Sequence, residues 1–173
     1  MREEKLMARI SRGDRDAAEE LVRLLYPELL RYCLWHVPRR DLAEDAVQET
    51  FLKAIRYYDR CTGNCRAFLY RIAANTCTDL QRKAGSAEQP LEELEEIPDT
   101  RADLERAQAD WSFRQRIRLL PPEQQEIVLL RFGQELTLRE IGAATGLPLR
   151  TVQSRLRAAL KQLKRQLEKE DSP

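Results

Sequence analysis

Residues 137–156 read Thr137-Leu-Arg-Glu-Ile-Gly-Ala-Ala-Thr-Gly-Leu-Pro-Leu-Arg-Thr-Val-Gln-Ser-Arg-Leu156. This stretch has the grammar of two helices joined by a tight turn. Thr137 is placed to cap the first helix, with Glu140 three residues on as its capping-box partner. Ile141 is spaced to face the second helix, and Ala143 and Ala144 permit close approach. Gly146 supplies the left-handed residue that ends a helix, and Leu147 fills the corner. Val152 and Leu156, four apart, anchor the second helix. Arg150, Thr151, Gln153, Ser154 and Arg157 are left on its outward face. Such side chains reach base edges or phosphates in a major groove. A solvated helical hairpin shares some of these features. The joint pattern of cap, alanine pair, Gly-Leu corner, β-branched anchor and Arg-rich face points to DNA. Lys161, Lys164 and Arg165 carry the basic surface onward.

Working outward, helical periodicity runs through most of the chain, and no segment alternates as a strand would. Asp14 or Asp16 is placed to cap a helix, with Glu19 completing a capping box for Asp16. Its apolar stripe is Leu21, Leu25, Leu29 and Tyr32, and Pro27 predicts a kink or a fresh start within it. Asp41 reads as the next cap, for a helix from Leu42 to about Tyr58. Cys61 to Cys65 reads as a loop, followed by a helix from about Ala67 to Arg82. Further helices are expected near 104–119, 123–131, 137–144 and 148–168. Between Gly85 and Asp103 little can bury, and the segment reads as a linker. The expected fold is therefore all-α: a small helical domain over 1–84, a flexible acidic linker over 85–104, and a second helical domain over 105–173.

The net charge of +1 hides a split. Residues 88–105 hold eight acidic side chains and one basic, whereas residues 139–169 hold eight basic and two acidic. A polyanion responds to the local field, so the neutral total does not exclude nucleic acid. No stretch approaches the ~20 apolar residues of a membrane span, and the first residues lack the apolar core of a signal peptide. A cytoplasmic protein with reduced cysteines is expected. Cys33, Cys61, Cys65 and Cys77 include no Cys-x-x-Cys pair, so neither a metal nor a cofactor is expected; a thiol or zinc sensor is the alternative they leave open. One histidine, no Gly-rich phosphate loop and no Ser/His/Asp set argue against an enzyme.

Three further segments narrow the reading. They are Asp45-Ala-Val-Gln-Glu-Thr-Phe-Leu-Lys-Ala54, Phe68-Leu-Tyr-Arg-Ile-Ala-Ala-Asn-Thr76 and Leu120-Pro-Pro-Glu-Gln-Gln-Glu-Ile-Val-Leu-Leu-Arg131. With the helix-turn-helix, in this order and spacing, they resemble the signature segments of extracytoplasmic-function (ECF) sigma factors, from about Asp14 to Leu163. A dimeric helix-turn-helix regulator on a palindromic operator is the runner-up.

The resemblance implies partners and roles. Asp45, Gln48, Glu49 and Leu52 form one helix stripe, similar to the surface that docks on core RNA polymerase. Asn75 is similar to the residue that captures a flipped base of the −10 element; its amide offers a donor and an acceptor. Asn64, Arg66, Arg71 and Arg82 would assist at −10. Arg150, Thr151, Gln153, Ser154, Arg157 and Lys161, helped by Arg131, would bind −35 promoter DNA. An anti-sigma factor is the implied regulator. The chain departs from the family at two places. The loop before the −10 helix is about two residues short and lacks the usual aromatic and Arg-Gly, with Phe68 where tryptophan is usual. Ala158 stands where a base contact is usual.

Overall fold

A computed structural model describes residues 2–84 and 112–172; the expected linker at 85–104 lies outside them. The described residues form helices and turns, with no strand among them. The chain divides into two compact units, Met1–Glu92 with Arg139–Gly146, and Glu93–Leu138 with Leu147–Pro173.

In the first unit, α1 (Arg2–Ile10) was not anticipated; it buries Leu6, Met7 and Ile10, an apolar spacing too short to stand out in sequence. The second helix, α2 (Arg15–His36), begins at an Asp14 cap whose side chain accepts from the Ala17 N–H; Asp16 lies in the first turn instead. Its stripe of Leu21, Leu25, Leu29 and Tyr32 is buried as expected. Full burial of each leucine contributes roughly 1.5–3 kcal/mol. The helix runs on through Pro27, so no fresh start occurs there. At about 100° per residue, Pro27 lies opposite the leucine stripe. Pro27 and Arg23 are both exposed, so water can satisfy the Arg23 carbonyl that proline leaves without a donor.

The third helix, α3 (Arg40–Arg56), takes Arg39 rather than Asp41 at its N-cap position. Asp41 instead accepts two bonds from the Arg39 guanidinium, at 3.0 and 2.9 Å. A short 3-10 turn, Tyr58–Arg60, leads into the loop before α4 (Cys65–Ala84). Asn64 caps that helix, its Oδ1 accepting from the Ala67 N–H at 2.9 Å. Helices α2, α3 and α4 pack on one another around Ala43, Ala46, Val47, Leu69 and Ala73.

The later helices start with residues 112–118 (α5). Pro122–Val128 (α6) follows, beginning at the second proline of the Pro-Pro pair and running into a wide π turn at Leu129–Gly133. After it come α7 (Leu138–Thr145) and α8 (Leu149–Glu170). Gly146 has φ +72, the left-handed corner the sequence requires. Ile141 and Ala144 are buried, whereas Ala143 is exposed and takes no part in close packing. The second unit packs α6 on α8 and buries Ile117, Leu120, Ile127, Val128, Leu130, Val152 and Ala159.

Candidate nucleic-acid interface

Residues of α8 separate by angle. Taking about 100° per residue, Arg150, Gln153, Ser154, Arg157 and Lys161 fall within one arc. Val152 and Ala159 fall opposite it and are fully buried. All five polar residues are exposed, and Thr151 is half-buried beside them. Packing of the apolar arc against α6 therefore turns the basic arc to solvent. Arg131 is placed differently: its Nη1 donates to the Leu136 carbonyl at 3.1 Å and closes the chain between the π turn and α7.

Helix α3 shows the same division. Asp45, Gln48 and Leu52 are exposed and Glu49 half-exposed, while Ala43, Val47, Thr50 and Ala54 form the opposite, buried arc. Leu52 is 69% exposed, an apolar side chain left in water at the C-terminal end of a polar stripe. Glu49 pairs with Lys53 at 2.8 Å, and Lys53 also reaches Thr76 Oγ1 at 3.4 Å. Lys53 escaped the sequence reading, although its i,i+4 spacing from Glu49 was visible.

On α4, Asn75, Arg71 and Arg82 are exposed along one face, joined by half-buried Phe68. Arg66 does not join them. Nine residues from Asn75, it is turned by about 180°. Its Nη2 meets Glu28 Oε2 of α2 at 2.9 Å, and its side chain is 21% exposed. Tyr70 packs on this pair, and burial, aided by the Glu28 charge, pushes its hydroxyl pKa well up. Asn64 serves as the helix cap described above.

The four cysteines are free thiols. Cys33 and Cys77, on α2 and α4, are in hydrogen-bond contact, and that contact together with burial raises the Cys33 pKa. Burial also raises Cys65 and Cys61, which touch each other across the loop. Among the described residues no group of three or more His, Cys, Asp and Glu could hold a metal ion. No described helix is long and apolar enough to cross a membrane. His36 ends α2, its ring centroid 4.4 Å from that of Tyr32 with the two planes tilted by 57°.

Comparison with known proteins matches residues 9–87 to Sigma-70 region 2 and residues 117–165 to Sigma-70, region 4. The ECF RNA polymerase sigma factor ShbA of Streptomyces griseus is 32% identical, over 92% of this chain and 92% of that one. The structure of CnrH in complex with the cytosolic domain of CnrY has a TM-score of 0.74 at 23% identity, covering 99% of this chain and 100% of that one. Sigma factor RpoE of Bartonella quintana, in complex with the anti-sigma factor NepR, has a TM-score of 0.62 at 20% identity, covering 87% of this chain and 96% of that one.

Proposed function

From the premise that this chain belongs to the ECF RNA polymerase sigma factors, we infer that it binds core RNA polymerase and directs it to promoters, where it reads −35 DNA and opens the −10 element. The observation that carries this is the presence of regions 2 and 4, in that order, with a polar stripe turned outward in each. The α3 stripe of Asp45, Gln48, Glu49 and Leu52 is the docking face for the polymerase. An exposed leucine ringed by polar groups suits a protein partner better than solvent. The Asn75 face of α4, with Arg71 and Arg82, takes the −10 strand, and Asn64 shapes the loop that precedes it. Arg66 supports that helix from its buried side. Arg150, Thr151, Gln153, Ser154, Arg157 and Lys161 read −35 DNA, and Arg131 stiffens the turn that leads to them.

An anti-sigma factor belongs to the same proposal. RpoE of Bartonella quintana, whose fold this chain shares, was solved with one. Such a partner would cover the docking faces until a signal releases them.

Run-off transcription with core polymerase, on a template carrying the promoter upstream of this protein's own gene, tests the reading. RNA from a defined start, absent without the chain, is expected. Tight binding to a palindromic site with no such RNA would make the chain a conventional repressor or activator instead.

A further inference from the structure

Two cysteines at the entrance to α4 meet across a loop. We propose that Cys61 and Cys65 are a disulfide-forming pair, a modification site at which a hydroperoxide closes the loop that precedes α4 and slows promoter opening. The effect on opening rests on reading that loop as part of the −10 surface; formation of the bond does not.

The geometry starts from the backbone. Cys61 follows the 3-10 turn, its N–H donating to the Tyr58 carbonyl at 3.0 Å, and Cys65 is the first residue of α4. Between them the chain turns through Thr62, Gly63 and Asn64. Gly63 takes φ +94, a conformation that suits glycine alone. The two cysteine side chains are thereby brought into hydrogen-bond contact. In that contact the Cys65 S–H donates to the Cys61 sulfur, since the bond opposes loss of the Cys65 proton and favours loss of the Cys61 proton. Cys65 is fully buried and Cys61 half-buried, so the accepting sulfur is the one solvent reaches. The pair has the division that disulfide chemistry needs: an outer sulfur to meet the oxidant and an inner one to resolve. Cys33 and Cys77 also touch, but at 0% and 2% exposure both are shut away from an oxidant.

The Cys61 thiolate attacks the hydroperoxide and breaks its O–O bond, forming a sulfenic acid; the Cys61 proton ends on the released alcohol, or on water when the oxidant is hydrogen peroxide. The Cys65 sulfur then displaces the sulfenic oxygen, which leaves as water with the Cys65 proton. Two thiol protons and two electrons pass from the chain to the oxidant. Closure draws the sulfurs from contact to about 2.05 Å. Cys65 is held in the core, so the movement falls on Cys61 and the exposed Thr62 and Gly63, where Gly63 has open space beside it. Asn64, whose side chain caps α4, lies inside the ring so formed. Helix α1 restrains the reaction. It packs on α4, and its Glu4 accepts a hydrogen bond from the Cys65 N–H. Burial raises both thiols and the Glu4 charge raises them further, which slows thiolate formation.

The full chain is treated with hydrogen peroxide, freed of it and then assembled with core polymerase. Wild type, Cys61→Ser, Cys65→Ala and Glu4→Gln are compared. Oxidised wild type should lose the mass of two hydrogens and fall from four titratable thiols to two in denaturant (four minus two), with the bond mapped by proteolysis to Cys61 and Cys65. Cys61→Ser should form no disulfide, and Cys65→Ala should stop at a sulfenic acid that dimedone traps. Glu4→Gln keeps the hydrogen bond, removes the charge and should quicken closure about threefold. Oxidised wild type should open promoters about fivefold more slowly, the scale of a disturbed helix cap. A dithiol reductant should restore the rate, and Cys61→Ser should open promoters equally with or without peroxide. Four thiols left in wild type after peroxide, or a bond mapped to Cys33 and Cys77, overturns the pair. A mapped Cys61–Cys65 bond with unchanged opening overturns the effect on opening, and equal closure rates for Glu4→Gln and wild type overturn the restraint by α1. If reduced wild-type holoenzyme opens no promoter, the −10 reading falls, while mass and thiol count still decide the pair. Should Cys65→Ala fail to fold, Cys61→Ser decides alone.

Discussion

Asn75 stands exposed on α4 between Arg71 and Arg82, one register step from the Lys53 contact at Thr76. Its amide is the group there able to both donate to and accept from a base edge. Asn75→Ala should therefore nearly abolish promoter opening, read as permanganate-reactive thymines, while leaving −35 duplex binding intact. A template pre-melted at −10 should restore much of the loss, because unpairing then costs nothing. Wild-type opening by the variant would move the pocket elsewhere. In region 4, Arg157 is exposed in mid-arc on α8, and Ala158 beside it cannot reach a base. Arg157→Ala should weaken binding to the preferred −35 sequence by about 1–3 kcal/mol if the contact is bidentate. A titration showing equal loss on all sequences would reassign Arg157 to phosphate. Arg66 shows how one residue type divides by angle. The sequence grouped it with Arg71, yet half a helical rotation sends it inward to Glu28, where it holds α4 against α2.

At the scale of elements, periodicity was a sound guide to faces and a poorer one to ends. The apolar arcs of α2, α3 and α8 face the core as their spacing requires, because a helix turns every residue by the same angle. Ends depend on which side chain reaches a free N–H, and several candidates stood close together. Asp14 won over Asp16, and Arg39 took the position expected of Asp41. Proline at 27 was read by local rule alone. Its lost hydrogen bond lies on the wet side of α2, so the cost fell low enough for packing to carry the helix through. That account has a consequence: Pro27→Ala restores a donor and removes a ring clash, and should stabilise the protein by roughly 1–3 kcal/mol. Guanidinium denaturation followed by circular dichroism reads this directly. A lower midpoint would mean that the proline shapes a bend the packing needs.

For the whole molecule, the thiols give a handle on packing. Hydrogen bonding to Cys77 and burial hold Cys33 protonated, and burial does the same for Cys65 and, less completely, Cys61. A thiol raised in the folded state stabilises the fold fully below the ordinary thiol pKa of about 8.5. Above it the unfolded thiols ionise and the folded ones do not, so stability falls as pH rises. Denaturation midpoints should thus drop between pH 8 and pH 10, and colorimetric thiol counting at neutral pH should be slow natively and reach four in denaturant. Fast native reaction of all four would show that these helices do not bury them.

The helix-turn-helix, the outward polar stripe on α3 and the family signature were legible without coordinates, since each is a pattern within one helix or turn and repeats with a fixed local period. Tertiary structure alone decided which cations remain available. Arg66 to Glu28 spans 38 residues and Lys53 to Thr76 spans 23. Such pairs form only when separate helices pack, and no period within either helix encodes which groups will meet.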